Sequence, residues 1–363
     1  MVPVPCPSTV AVPPPSYQRA RAKRSTALHV TALALVTTLP LLDLCRLAGR
    51  AAQRRCPPPL PQGPGGAPRV YAPESLLLIA LLRTLWRLSY QDMRDWLVAW
   101  PALAAACGLP SGADGRPRVP SPSQQCKRAA AAGAPPYEML FVLAVREALR
   151  RGLTRARDLI VDSAPLRAWR RTDPDAAVGH APAHHLTAFL RGFRVHTLLC
   201  RGSGLPLGFL LAPANAHDAP FARPLLQWAG ALYQVRPRVV RLDAAYWGHS
   251  LIAWIHTTLG AVAVIPWNPK RQQNRAGLPP TWTAAELGKR SGIERFFGRV
   301  VVFFGRRFQR PPVAGWTAVA QQVALTYTAM IVVALAAHQA GRPEFSRSPK
   351  RVLAHLWEGG LAS

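Results

Sequence analysis

Two apolar runs, one just before the middle of the chain and one after it, each end in an aspartate, and they constrain the fold more than any other feature. The run LIV leads into Asp162, and the run VVRL leads into Asp243. Such short apolar runs predict buried strands. Turn formation accounts for one aspartate at a strand end, but adjacent parallel strands present such groups together at their carboxyl ends. The pattern therefore predicts a sheet with two carboxylates at one edge.

The segments around these runs alternate between strand and helix patterns. GFRVHTLLC and LPLGFLLAPA predict a hairpin joined by SGLP, and PFARPLLQWAGALY and SLIAWIHTTLG predict helices. AVAVIPW predicts a further strand, and a helix around ELGKRSGIERFFGRV follows. The order strand, hairpin, helix, strand, helix, strand, helix predicts the α/β class, with a mixed sheet flanked by helices.

A third carboxylate, Glu294, lies on that last predicted helix, with Arg290 one turn earlier. Two neighbouring carboxylates repel each other, and a divalent cation is the simplest group that neutralises them. Mg²⁺ prefers oxygen ligands and keeps waters that substrate phosphates can replace. Three carboxylates that hold two metal ions are the usual equipment for displacement at a phosphodiester. We therefore expect Asp162, Asp243 and Glu294 to form one metal site.

The charge balance favours a nucleic acid as partner. The chain has 45 Lys and Arg against 17 Asp and Glu, and only five of the basic residues are lysines. Arginine binds phosphate oxygens in a bidentate manner, so this excess fits nucleic acid. A GC-rich genome also favours arginine codons, but it explains the choice of arginine better than the shortage of acids.

The region before the sheet reads as a series of short helices. SYQD from Ser89 is a capping-box pattern, and Ser123 is the expected cap of a small-residue helix that carries Lys127 and Arg128. Short helices that end in a basic one favour a helix-turn-helix-like DNA-binding domain. A plain helical bundle with a basic surface is the alternative.

Other candidate features have simpler interpretations. The apolar segment 27–45 contains Asp43 and is expected to be an apolar helix rather than a membrane span. The segment 323–338 is short and carries polar residues, so it is expected to be a helix that packs on the sheet. The six cysteines show no metal-ligand spacing and are expected to be free thiols in a reducing cytosol. A loop with His180, His184 and His185 is expected to reach DNA rather than bind a metal. Asp218 is expected to cap the helix that begins near residue 219.

Four local motifs, taken together, resemble one known family. LIVDSAPL, GFRVHTLLCRGSGLPLGFLLAPANAHDAP, RLDAAYWG and RSGIERFFGRV occur in the order and spacing of the RNase H-like DDE transposases of bacterial insertion sequences. The resemblance covers roughly residues 72–340. It implies an RNase H-like mixed sheet, and Asp162, Asp243 and Glu294 as catalytic residues that bind two Mg²⁺ ions, for which Mn²⁺ can substitute. It also implies cleavage of element ends and strand transfer to target DNA.

The sequence departs from the family pattern at several positions. The family's signature Tyr-x2-Arg-x3-Glu-x6-Lys keeps its Arg and Glu here, but Leu287 replaces the Tyr and Val301 replaces the Lys. Arg299, Arg306 or Arg307 could supply the missing positive charge. Ala245 stands where the family has Gly. These changes leave two alternatives open: a catalytically decayed remnant that still binds DNA, and a nuclease of the same fold without strand transfer.

The domain and partner predictions follow from these patterns. We expect a Pro-rich N-terminal tail with one apolar helix (1–70), a helical DNA-binding region (71–150), an RNase H-like catalytic domain (151–340) and a basic C-terminal tail (341–363). The expected DNA-binding residues are Lys127, Arg128, Tyr246, Lys270, Arg290 and Arg299. The expected partners are double-stranded DNA, as element ends and target, and further copies of the chain in a homodimer or larger synaptic complex, with no membrane. The expected location is the cytoplasm, associated with the nucleoid.

Overall fold

A computed structural model describes residues 29–55, 70–181, 188–267 and 282–357, apart from the side chains of Arg306 and Trp357. These residues form a six-stranded sheet with helices around it. The strands are Asp158–Arg167 (β1), Ala177–His180 (β2), Phe189–Cys200 (β3), Pro206–Pro213 (β4), Val239–Arg241 (β5) and Val262–Val264 (β6). Lys270, His184 and His185 lie outside the described residues.

The strand order defines an RNase H-like sheet. β1 pairs with β3 in antiparallel fashion, β3 pairs likewise with β4, and β1, β5 and β6 run parallel to one another. The main path is therefore β4-β3-β1-β5-β6, and the short β2 pairs with the start of β3. The predicted strands and hairpin are confirmed. β2 was not predicted, because its four residues carry little apolar pattern.

One register explains how the sheet brings distant residues together. The parallel pairing of β1 with β5 matches Asp158 to Val239 and ends where Ile160 lies opposite Arg241. Beyond this point β1 continues to residue 167 and pairs only with β3. The sequence suggested that Asp162 lies at the tip of its strand. It lies instead within β1, just past the carboxyl end of the segment that pairs with β5.

Helices pack around the sheet. The helices after the first four strands are Ala219–Tyr233 (α8), His249–Leu259 (α9), Ala284–Gly288 (α10), Gly292–Phe304 (α11), Arg306–Gln309 (α12), Trp316–Gln339 (α13) and Pro349–Trp357 (α14). α11 lies against β1, and α14 packs on α13. Residues 349–357 therefore form a packed helix, whereas the sequence suggested a basic tail.

The described chain before β1 is helical, as predicted for residues 71–150, but the single apolar helix predicted over 27–45 is instead two helices that are bent by 63° at a break. The helices of this region are His29–Thr38 (α1), Leu41–Arg55 (α2), Pro73–Leu85 (α3), Tyr90–Ala99 (α4), Pro101–Ala106 (α5), Pro122–Ala132 (α6) and Pro135–Arg150 (α7). The capping box at Ser89 is confirmed. The cap of α6 is Ser121 rather than Ser123, because Ser121 and Gln124 exchange hydrogen bonds between side chain and backbone.

α13 ties the two halves of the chain together. It packs against α7 and α3 from the helical region and against β4 and α11 from the sheet. It has 24 residues, so the sequence pattern over 323–338 recognised only its second part.

By length and composition α13 could span a membrane, but 89% of its apolar window is buried inside the structure. The helices α1 and α2 pass the same test only if counted as one span, and they are bent by 63°.

Candidate active site

Asp162 and Asp243 occupy equivalent places on neighbouring strands. Continuing the β1–β5 register by two residues sets Asp162 beside Asp243, which follows β5 and caps a short 3₁₀ turn, Ala244–Tyr246. The Asp243 carboxylate accepts the backbone N–H of Ala245 at 2.8 Å, and the Asp162 carboxylate accepts that of Ser163 at 2.8 Å. Two carboxylates separated by about eighty residues in the chain thus converge at one edge of the sheet.

The negative charges of Asp162 and Asp243 are unfavourable in this environment. Burial, followed by the nearby charge of Asp243, raises the pKa of Asp162 from its ordinary 3.8 to about 7, although Arg290 and the Ser163 N–H act in the opposite direction. Burial also raises the pKa of Asp243, and the charge of Asp218 adds to that rise. A buried carboxyl group with a raised pKa and a charged neighbour is typical of functional sites.

Arg290 joins the first and third predicted acids. It donates to Asp162 from Nη1 at 2.7 Å and to Glu294 from Nη2 at 3.0 Å. Glu294 lies in the first turn of α11, and its side chain is 60% exposed against 15% for Asp162. The predicted pairing of Arg290 with Glu294 is therefore present, and the structure adds a contact to Asp162 that the sequence did not suggest.

The three predicted metal ligands do not form one cluster in this structure. No group of three or more His, Cys, Asp or Glu side chains in the described part of the chain could hold a metal ion. Asp162 and Asp243 converge, whereas Glu294 is held at the edge by Arg290. The assignment of all three to one metal site stays a prediction.

Asp218 is a further acid of this region that sequence reasoning placed elsewhere. Its side chain makes no hydrogen bond that caps α8, contrary to the expected helix cap. Instead it accepts the Ser163 hydroxyl at 2.8 Å and lies 3.4 Å from Nη1 of Arg194. Because Ser163 follows Asp162 directly, Asp218 fixes the strand on which the first acid lies. The Asn-x-His-Asp stretch was the available signal.

A buried histidine lies behind this acid. Nδ1 of His196 lies 3.6 Å from Asp218 and 3.5 Å from the Tyr246 hydroxyl, and its ring stacks on Phe221 at 4.1 Å between centroids. Burial lowers the pKa of His196 to about 4, although the charge of Asp218 acts to raise it. The ring is therefore neutral at neutral pH and packs as part of the core.

The predicted DNA contacts lie in three different settings. Lys127 and Arg128 are exposed on α6, Arg290 lies at the acids, and Arg299 is partly buried on α11. Tyr246 is only 1% exposed, so its side chain does not face a surface that DNA could reach. The burial of Tyr246 contradicts a direct DNA contact. The other described residues stay candidates.

An RNase H-like sheet with paired carboxylates past the ends of its central parallel strands defines a class of nucleic-acid-processing domains. Residues 154–329 match the family model of the transposase DDE domain. The match covers 176 of the 363 residues, and this segment contains all three predicted acids.

No curated protein matches the chain. The chain is similar to a solved structure described as the piggyBac transposase synaptic complex with hairpin DNA, with a TM-score of 0.46 and 8% identity over 92% of this chain and 80% of that one.

Proposed function

We propose that this protein is a transposase that cleaves the ends of a DNA insertion sequence and joins the freed 3′ ends to target DNA in a reaction that depends on a divalent metal. The observation that carries the proposal is the convergence of Asp162 and Asp243 on the same edge of an RNase H-like sheet. Double-stranded DNA would be the partner, and two copies or more of the chain would bring the two ends together. The copies would act in the cytoplasm, on the nucleoid.

Asp162 and Asp243 fit a hard cation such as Mg²⁺ or Mn²⁺. Their carboxyl groups are buried and close enough to raise the pKa of Asp162, so a bound cation would relieve a repulsion that the fold does not itself remove. Asp162 and Asp243 would hold such ions, and the chemistry supplied there would be activation of the attacking oxygen and stabilisation of the leaving one. Glu294 would join the set once its carboxylate leaves Arg290.

The chain's own residues would prepare the site in two ways. Arg290 partly neutralises Asp162 and Glu294 in the absence of a cation. Once a cation took over that role, the Arg290 guanidinium would be available to a phosphate oxygen. Asp218 binds the hydroxyl of Ser163 and so fixes the backbone next to Asp162. Arg290 would therefore bind and orient DNA, and Asp218 would act as a positioning residue.

A second candidate function is a decayed transposase that binds DNA without cleaving it. The specific observation in its favour is that Glu294 is exposed and paired with Arg290, in a signature that already lacks the family's Tyr and Lys. The two candidates differ in one property, namely whether Glu294 can take part in metal-dependent cleavage.

A cleavage assay on DNA that carries the element's ends separates these candidates. The wild-type chain should cut it with Mg²⁺ or Mn²⁺ and not with EDTA, and Asp162→Asn, Asp243→Asn and Glu294→Gln should each abolish cutting while DNA affinity stays equal or improves. Asp43→Asn, which removes an exposed acid from α2, is the matched control and should cut normally. Binding by the wild type without any cutting would favour the decayed remnant.

Cutting at the wild-type rate by Asp162→Asn or Asp243→Asn would refute the assignment of these acids. Loss of any one acid should cost nearly as much activity as loss of all three, because residues that act as a unit are not additive.

A further inference from the structure

A groove along α11 is lined by basic side chains. Its volume is about 540 Å³, and the turn between β3 and β4, α11 and the C-terminal segment border it. The basic residues along it are Arg201, Arg295, Arg299, Arg347 and Lys350. Three separate parts of the chain thus bring cations to one place.

These cations lack acidic partners among the described residues, with one exception. Arg201 pairs with Asp158 at 2.5 Å, and Asp158 is also bound by the nearly buried Arg241. No ion pair of the described chain includes Arg295, Arg299, Arg347 or Lys350. The groove therefore carries several positive charges that the fold leaves uncompensated.

Arg299 is the most unusual member of this group. Its Nη2 donates to the Gly204 carbonyl at 2.9 Å, while its Nε is buried without a hydrogen-bond partner. Burial and the charges of Arg347 and Arg295 lower the pKa of Arg299 to about 10. A buried guanidinium is costly unless an anion pairs with it, so this one favours an anionic ligand.

The turn between β3 and β4 is built to receive these guanidinium groups. Gly204 has φ of +68°, and a Cβ there would lie 2.9 Å from Nη2 of Arg299. Arg347 donates to the carbonyls of Ser203 and Gly202 in the same turn. Neutral carbonyl oxygens orient the two arginines but do not cancel their charges, so both remain able to bind an anion.

The position of the groove relative to the acids indicates which anion it binds. Arg299 follows Glu294 by five residues on α11, which places it about 8 Å further along the helix axis. A polyanion that passes the acids would reach the groove within a few phosphate spacings.

We infer that this groove binds the phosphodiester backbone of duplex DNA outside the cleavage site, with Arg295, Arg299, Arg347 and Lys350 as the contacts. The identity of the DNA as an element end rests on the proposed function, whereas the phosphate contacts do not. Arginine suits a phosphate ligand better than a point charge such as lysine does, because its donors match phosphate oxygens in a bidentate manner.

The salt dependence of DNA binding tests this inference on the full chain. A 30-base-pair duplex of arbitrary sequence is titrated between 50 and 300 mM salt with the wild type and with Arg295→Gln and Lys350→Gln, which change exposed side chains and so leave the fold intact. Each removed contact should reduce the slope of log affinity against log salt by about 0.9. Arg50→Gln, an exposed arginine on α2, is the control of equal charge and should leave the slope unchanged. Equal slopes for all four proteins would overturn the inference.

A second measurement separates DNA from a free phosphate ligand. Inorganic pyrophosphate is added to the wild type and to Arg299→Gln, and the melting temperature is followed. Stabilisation of the wild type but not of Arg299→Gln, together with the altered slopes, supports the inference. Stabilisation by pyrophosphate with unaltered slopes would assign the groove to a free phosphate compound and overturn the DNA assignment.

The outcome does not depend on catalysis. A wild-type chain that never cuts DNA but shows the slope changes would refute the proposed function and leave this inference intact.

Discussion

Asp162→Asn should make the protein more stable, and more so at pH 8 than at pH 5. The carboxyl group has a pKa of about 7 in the folded chain against 3.8 ordinarily. A group whose pKa is raised by folding stabilises the fold below its ordinary pKa, and that contribution is lost as the pH rises through the folded value. At pH 8 the wild type therefore carries a buried charge, and asparagine removes it.

The magnitude follows from the size of the rise. Each pKa unit corresponds to about 1.36 kcal/mol of unfolding free energy, so an increase of about three units corresponds to about 4 kcal/mol. Asparagine accepts the Arg290 hydrogen bond less strongly than a carboxylate does, so the gain in unfolding free energy at pH 8 should be about 1 to 4 kcal/mol. At pH 5 the carboxyl group is protonated in the folded chain but already mostly ionised in the unfolded chain, about 1.2 pH units above its ordinary pKa. About 1.6 kcal/mol of the effect therefore remains, and the gain should be smaller than at pH 8 by about 2 to 3 kcal/mol.

Urea unfolding at pH 5 and pH 8 in EDTA measures this difference. Asp158→Asn is the control on the same strand, because Asp158 is bound by Arg201 and Arg241. Its loss leaves the 4% exposed side chain of Arg241 with less compensation and should cost about 1 to 3 kcal/mol at pH 8. The same substitution thus has opposite signs four residues apart. An equal effect of Asp162→Asn at both pH values would refute the reasoning.

Three further predictions concern the same region. Magnesium at pH 8 should raise the melting temperature of the wild type but not of Asp162→Asn, because a ligand that binds only the folded state stabilises it by mass action. An equal rise in both proteins would show that Asp162 is not a metal ligand. Tyr246→Phe should leave DNA affinity unchanged and cost about 1 kcal/mol or less in urea unfolding, since the buried hydroxyl has only a long contact to His196; weaker DNA binding would restore the sequence-based prediction. Asp218→Asn should slow cleavage while Ala substitution of the exposed Glu344 should not, and unchanged cleavage would limit Asp218 to a structural role.

Local sequence patterns predicted many elements of the fold. The apolar runs before Asp162 and Asp243, the SGLP turn and the capping box at Ser89 each depend on a few neighbouring residues, and all of them are present in the structure. The errors also arose locally. Both Ser121 and Ser123 precede α6 or lie in its first turn, and Ser121 is the N-cap because Pro122 fits the first helical position and Gln124 completes the capping box.

Contacts between distant segments could not be predicted in the same way. The bond from Arg290 to Asp162 joins residues 128 positions apart, and no local pattern in the chain requires it. The same holds for Asp218, whose place before α8 suggested a cap while tertiary structure directs its side chain to Ser163. The burial of Tyr246 depends on packing from several elements, so a motif match alone assigned it to a surface.

The two aspartates of β1 show what distinguishes the candidate metal site from an ordinary acidic position. Asp158 begins the strand between two guanidinium groups, so its charge is compensated within the fold. Asp162 lies four residues on, beside a second carboxylate, and its one cationic partner among the described residues is Arg290, which it shares with Glu294. Because the same strand shows that the chain can neutralise an acid fully, the incomplete neutralisation of Asp162 is not a consequence of a shortage of arginines. It leaves a negative charge that a divalent cation can neutralise, which is the property that the proposed metal-dependent cleavage would require.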